Sequence, residues 1–399
     1  MSKSWLSACA LGLGFGVGLA GGMATANAAD AMSVHGVTKT EIVLGMHTDL
    51  SGVAASYGVS SANAVRMRAD EVNEAGGIHG RKIHVIIEDN QYQVPRAVQA
   101  VNKLLHRDHI FAMVAPLGTP MNMAVFDDQF KENVPNLFPL SAARQMYLPF
   151  NRLKFYGAAS YYDEMRSGLK WMVEHKGKKS ICMMYQDTDF GKEVYEGMRD
   201  QAAAMKIPLV ESVTHKPTDQ DFTPQITKLR AAKCDLVGMG TIVRDTIIPY
   251  STARKTGWTD VDFLGSAATY DQIVAGVPGG VTEGFYAMGL TEQVYRDTAS
   301  PTVANWFDRY KAKFNQDPNI GAVYGYVAMD LTVIALDRAG TNLTTDSFIK
   351  ALESIDGYRD IFGGPTQSYS ATKHQGANSS FVAQVKSGRW TRVTDPVIY

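Results

Sequence analysis

The amino-acid sequence predicts an α/β protein whose parallel sheets are covered by helices on both faces and divided into two similar lobes. Three observations predict this. Short apolar, strand-like runs alternate with helical stretches from residue 41 to about residue 286. The rhythm breaks at "FNRLKFYGAASYYDEM", around residue 156, and then restarts. The length of 399 residues suffices for two domains, and 45% hydrophobic with 20% charged residues is globular composition.

The N-terminal segment reads as a leader outside the fold. One lysine, Lys3, precedes a Gly-rich apolar run that ends in Ala26-Asn27-Ala28. This is the pattern of a secretory signal peptide with an A-x-A site, cleaved after Ala28. The run carries no stop-transfer charges, which argues against a membrane anchor. Its "GLGFGVG" glycines therefore form no nucleotide loop, and Cys9 lies too early to carry a lipid.

The elements follow in order. "EIVLGMHTD" is a strand, and residues 57–75 form a helix with Ala62, Val65, Ala69 and Val72 on its apolar face, closed by Gly76-Gly77. "RKIHVIIEDN" is a strand, and Pro95 opens the helix "PRAVQAVNKLLHRD". "HIFAMVA" is a strand that ends in Pro116. Gly118, Thr119 and Pro120 follow, and a helix is expected over 120–133 with Thr119 as its N-cap. Such a junction presents backbone N–H groups that can hold an anion. "PNLFPL" completes the first set of strands.

In the second half "SICMMYQD", "PLVESV", "DLVGMG" and "DFLGS" are strands. Helices are expected over 190–205, Asp221–Lys233 and up to Lys255, with a short one after "DFLGS". After "EGFYAMGL" the pattern changes to two long helices, "SPTVANWFDRYKAKFN", capped by Ser300 and Pro301, and "GAVYGYVAMDLTVIALDRAG". The latter is interrupted by Gly, Tyr and Asp and reads as a buried helix. "SSFVAQVKSGRWTRVT" is a hairpin turning at Ser387-Gly388.

The bulk numbers exclude several classes. A net charge of −1 gives no reason to expect a nucleic-acid partner. Cys182 and Cys234 sit in or beside strand-like runs and are expected as two buried thiols, because cysteines on parallel strands rarely meet disulfide geometry. There is no HExxH, CxxC or GxSxG, and the nine histidines show no ligand or triad spacing, so neither a metal nor a cofactor is expected. "GMGTIV" with Asp260 half-matches a dinucleotide loop but lacks the third glycine, and an enzyme is not expected. Asp187 and Asp189 resemble a metal pair, yet this spacing at a strand end reads as helix capping.

Several spaced segments carry a resemblance. "TDLSGVAASYG", "NEAGGIHGRKIHVIIEDNQYQVPRAV", "GTP" before a helix, "DTDFGKE" and "DFTPQITKLRAAKCDLVGMG" resemble the periplasmic solute-binding proteins of ABC importers, branched-chain amino acid type. The "NEAGGIHGRKI" segment is the most specific. The resemblance implies type I architecture, with two Rossmann-like lobes joined by three crossovers and ligand held in the cleft between them. On that template the first lobe takes 29–155 and 287–360, and the second takes 156–286 and 361–399. It further implies a periplasmic monomer that hands its solute to a membrane permease. Hinge candidates are Gly157, Ala287 and Gly363.

In this family the turns matching Gly118-Thr119 and Ser141-Ala142 present N–H and hydroxyl donors to the ligand's carboxylate. Tyr57 and Phe190 match aromatics on opposite sides of the cleft. The second lobe of amino-acid binders supplies an acid to the ligand's ammonium, and that place is held here by Ser266 and Ala267. Asp271 follows a few residues later, where a helix is expected. Thr241 and Arg244 offer themselves from the other second-lobe loop, with Asp245 and Glu283 as alternative partners for the arginine. An unpaired buried ammonium is costly. The expected ligand is therefore a carboxylate without an α-amino group, aromatic or hydrophobic in view of Tyr57, Tyr161, Tyr162, Phe190 and Tyr270. A branched-chain or other amino-acid binder of the same transporter class is the alternative, and a sensory module working through a separate membrane receptor is the second.

Overall fold

The computed structural model describes residues 34–398. The expected cleavage site at Ala28 lies outside the described residues. The first lobe begins with β1 (Glu41–Thr48), α1 (Ala55–Glu74), β2 (Lys82–Asp89), α2 (Val94–His106) and β3 (Ala112–Val114). It continues through α3 (Thr119–Met123), α4 (Phe126–Lys131), β4 (Asn136–Leu137) and β5 (Lys154–Phe155). These strands are all parallel, in the order β2-β1-β3-β4-β5. Buried on both faces, they read as apolar runs, and Ile42, Leu44 and Met46 are fully enclosed.

The second lobe runs α5 (Tyr161–Lys176), β6 (Ile181–Gln186), α6 (Asp189–Ala204), β7 (Leu209–His215), α7 (Thr223–Ala231) and β8 (Leu236–Gly240). It continues with α8 (Val243–Lys255), β9 (Asp262–Gly265), α9 (Gln272–Ala275) and β10 (Tyr286–Gly289). The chain then returns to the first lobe as α10 (Pro301–Phe314), α11 (Ile320–Ala339) and α12 (Thr345–Glu353). It closes with β11 (Ser379–Lys386), β12 (Arg389–Arg392) and β13 (Val397–Ile398). The second sheet has the order β12-β11-β10-β9-β8-β6-β7, with β13 also pairing β11. Its strands β6 to β10 are parallel, and the terminal hairpin adds antiparallel to β10. A division at 286/287 therefore runs through β10, which stays in the second sheet to Gly289.

Three crossovers join the lobes. The first follows β5 through Tyr156 and Gly157, and the second follows β10 through Leu290. The third runs at His374–Gly376, beyond Gly363. It lies along the first, with the Tyr156 N–H donating to the His374 carbonyl at 2.9 Å and the Gly376 N–H to the Tyr156 carbonyl at 2.8 Å.

α11 is long and apolar enough to cross a membrane by length and composition, yet most of it is packed inside the lobe. It crosses α1 closely: a Cβ at Gly325 would collide with the Ser61 backbone and one at Gly321 with the Tyr57 carbonyl. This close crossing brings Tyr324 beside Tyr57, with ring centroids 6.5 Å apart.

Several expectations need correction. Thr119 is not the N-cap of its helix. Gly118 takes the capping position at φ 101°, and Thr119 is the first helical residue. The helix expected over 120–133 is broken between α3 and α4 at Ala124-Val125. Cys182 and Cys234 are not free thiols but a disulfide. Cys182 is on β6, but Cys234 sits in the turn before β8, after Lys233 at φ 57°. That turn lifts Cys234 out of the ladder and sets the two Cα atoms 5.8 Å apart. Closing this loop contributes about 4 kcal/mol in the chain-entropy account. The glycines of "GMG" form no phosphate loop either. Gly238 and Gly240 lie within β8, where side chains would strike Met183 and Tyr185.

Candidate functional site

In a doubly wound sheet a crevice opens where the strand order reverses, at the carboxyl ends. That point lies between β1 and β3 in the first sheet and between β6 and β8 in the second. Both face one cavity, partly open to solvent at the cleft mouth.

The first-lobe wall contains the polar groups. Gly118, Thr119, Ser141 and Ala142 line the cavity together. The Thr119 and Ser141 hydroxyls are 2.7 Å apart and almost fully buried. One donates to the other, which leaves a single hydroxyl proton for a ligand. Asn122 fixes the first turn from behind, donating to the carbonyls of Gly118 at 2.8 Å and Pro116 at 3.2 Å, and is itself held by Asn136 at 3.0 Å. Asn90 donates to the Leu117 carbonyl and to His47 Nδ1, both at 3.1 Å, and accepts from the Tyr92 N–H. Burial pushes the His47 imidazole down to about 3, so it is neutral. Asp49 accepts from the N–H groups of Gly52 and Ala54 and shapes the loop that carries Val53 to Tyr57.

Aromatic groups surround these donors. Tyr57, Tyr161 and Phe190 line the cavity as expected, and Tyr161 meets Phe190 edge-on at 5.0 Å. Sequence reasoning missed Tyr92, Phe138, Tyr156 and Tyr324, which line it too. Burial raises the phenols of Tyr57, Tyr92, Tyr156, Tyr161 and Tyr324 well above the ordinary tyrosine range, so all are neutral donors. The Tyr324 hydroxyl is buried without a hydrogen-bond partner. The tyrosines of "AVYGYV" were the only signal for it, in a helix apolar on every side.

The second-lobe wall is different. Ser160 caps α5 and places Tyr161 at its start, and Thr188, rather than either flanking aspartate, caps α6 and places Phe190. Thr241 and Ser266, expected to touch ligand, are fully buried and do not line the cavity. Thr241 turns inward to Thr246 at 2.6 Å. The residues that follow them, Ile242 and Ala267, line the cavity instead. Asp245 holds this wall. It accepts from His215 Nε2 at 2.6 Å, from Gln186 at 2.8 Å and from the Ile242 N–H at 3.1 Å. Glu164 accepts from the Ala267 N–H at 2.9 Å, and burial holds its carboxyl well above the usual range. Arg244 pairs with neither Asp245 nor Glu283 but donates to the carbonyls of Pro217 and Asp219. Asp271 caps α9 by accepting from the Ile273 N–H and does not line the cavity. The acid that does is Asp360, from the loop after α12, which accepts from the N–H groups of Phe362 and Gly364. Among the described residues no cluster of His, Cys, Asp or Glu could hold a metal ion.

The two walls are clasped beside the donor turns. Arg144, two residues after Ala142, donates to Glu193 of α6 from its backbone N–H at 3.0 Å, from Nε at 2.7 Å and from Nη2 at 3.1 Å. It also reaches Glu196 at 2.5 Å and stacks 3.8 Å over the Tyr162 ring.

A family model described as "Periplasmic binding protein" matches residues 41–389. Among curated proteins, the "Leu/Ile/Val-binding protein homolog 8" of Brucella abortus is 23% identical over 387 residues, 92% of this chain and 93% of that protein. Among solved structures, a fatty acid ABC transporter substrate-binding protein from Thermomonospora curvata superposes with a TM-score of 0.81 at 24% identity, covering 92% of this chain and 94% of that one. A branched-chain amino acid ABC transporter protein from Thermus thermophilus with bound valine gives 0.82 at 18% identity, covering 91% and 98%. At these identities the structural likeness shows the fold, which is the two-lobed type I architecture.

Proposed function

The chain belongs to the periplasmic binding protein family, and from that premise we propose that it is the solute-binding component of an ABC importer for a hydrophobic or aromatic carboxylate without an α-amino group. One observation carries this reading: donors cluster at the Gly118–Thr119 and Ser141–Ala142 turns, while most of the remaining lining is apolar or aromatic, with Ser56, Thr291, Asp360 and Gln367 as the polar exceptions. A carboxylate at these turns receives charge-assisted hydrogen bonds of roughly 1.5–3 kcal/mol each. Three approach the ~8 kcal/mol of micromolar binding before ordering costs. The second-lobe wall offers no carboxylate to an ammonium.

In this reading Tyr57, Tyr161 and Phe190 sandwich the ligand. The lobes swing about the three crossovers, ligand contacts with both walls favour closure, and the closed form docks on the permease. The leader ending at Ala28 directs the chain to the periplasm. The fatty-acid-binding neighbour supports an apolar carboxylate.

A second reading is an amino-acid ligand, with the Asp360 carboxylate taking its ammonium. The names of the Brucella relative and the Thermus neighbour favour it. Isothermal titration of the mature protein with benzoate, cinnamate and alkanoates, against leucine and valine, separates the two. Tight binding of the simple acids is expected, and binding of leucine or valine alone would sink the first reading.

A further inference from the structure

The cavity extends along one long helix. Val323, Tyr324, Val327, Ala328 and Leu331 of α11 all line it. Their spacing is one stripe along a helix, and from Val323 to Leu331 it covers about 12 Å at 1.5 Å per residue. Ala328 and Leu331 are 2% and 1% exposed, so this end is sealed from solvent while still facing the cavity. Phe138, at the end of β4, forms the opposite side. The stripe carries one polar atom, the unpartnered Tyr324 hydroxyl. The donor turns at Gly118–Thr119 and Ser141–Ala142 line the same cavity.

We infer that this extension is a tail channel: the ligand is an amphipathic carboxylate whose head sits at Thr119 and Ser141 and whose extended acyl or aryl-alkyl chain runs along α11 towards Leu331. The inference rests on the carboxylate reading above and adds the length and shape of the ligand. A valine-sized side chain would leave the stripe unfilled, whereas each methylene entering it is removed from water. That is worth about a fourfold gain in affinity per methylene. Ala328 and Leu331 set the length limit, since a larger residue at the first plugs the channel and a smaller one at the second lengthens it.

Titration calorimetry with straight-chain alkanoates from butyrate to dodecanoate tests this. Affinity is expected to climb severalfold per methylene and then level off. Ala328→Phe should abolish the climb and cost the longest well-bound chain at least tenfold. Leu331→Ala, which adds space and does not depend on the plug being tolerated, should move the optimum to a longer chain. A flat chain-length profile with measurable butyrate binding overturns the channel and leaves the carboxylate reading standing. Binding of leucine or valine, with no alkanoate of any length bound, overturns both.

Discussion

The first lobe brings Thr119, Ser141, Tyr57 and a stripe of α11 to the cleft, whereas the second brings Tyr161, Phe190, Ile242, Val243, Ala267 and Ala268. One wall has hydroxyls and turn N–H groups. The other is apolar, and the Tyr161 phenol is its one polar side-chain group. The same doubly wound plan produced both, and the polar residues of the second wall, Thr241, Asp245 and Glu164, are spent inside the lobe. In the proposed function this difference gives recognition to the first lobe and closure to the second.

The sharpest way to break that division is at the hydroxyl pair. Thr119→Val removes one partner of a buried hydrogen bond at the carboxylate turns. Carboxylate affinity should fall by roughly tenfold to a hundredfold, the equivalent of about 1.5–3 kcal/mol. The apo melting temperature should hardly move, and unchanged affinity in calorimetry would remove Thr119 from the site. The second lobe depends on its bridge in another way. Replacing Cys182 and Cys234 together by serine should cost about 2–4 kcal/mol in urea unfolding. Ligand affinity should stay close to wild type, because the bridge lies at the end of β6 far from the cleft. A matching loss of affinity would mean that the lid's stiffness also sets recognition.

Acid should act on the two lobes in opposite senses. His47 is held at about 3, below its unfolded value near 6.5, so the unfolded chain binds the extra proton. Its contribution is complete above 6.5 and is lost as pH falls towards 3, about 2 kcal/mol by pH 5. Asp271 in the second lobe is raised from 3.8 to about 6 by burial, with the Ile273 N–H opposing. The folded chain then binds the extra proton, and stability is gained as pH falls from about 6 to 3.8. In stability measured against pH, His47→Gln should flatten the acid loss and Asp271→Asn should steepen it. The smallest effect belongs to the lid. Ile242→Ala should weaken ligand binding only a few-fold, through lost apolar contact. A loss as large as that of Thr119→Val would end the division of labour between the walls.

The alternation of parallel strands and helices was legible because buried strands must be apolar and the helices between them periodic. The donor turns were legible too, since small residues and a proline mark a strand-to-helix junction. The second wall was misread by one residue at Thr241 and again at Ser266. A pattern locates a loop but not the direction its side chains take, and polar residues there turned out to tie the loop down. The stripe on α11 left only its tyrosines as a signal, because a mostly apolar helix does not say which side faces a cavity. The disulfide was hidden by a single left-handed residue, Lys233, which moved Cys234 off its strand.

The clasp of Arg144 on Glu193 has a consequence for the water outside. It joins a segment of the first lobe to a helix of the second, so it parts whenever the cleft gapes, and its arginine side chain is 30% exposed. Methyl groups pressed together are indifferent to modest changes in dissolved salt, but charges are screened by it. The Glu193 side chain, however, is 1% exposed, so this pair is screened far less than a surface pair, and the proposed closure should change little with the salinity of the medium.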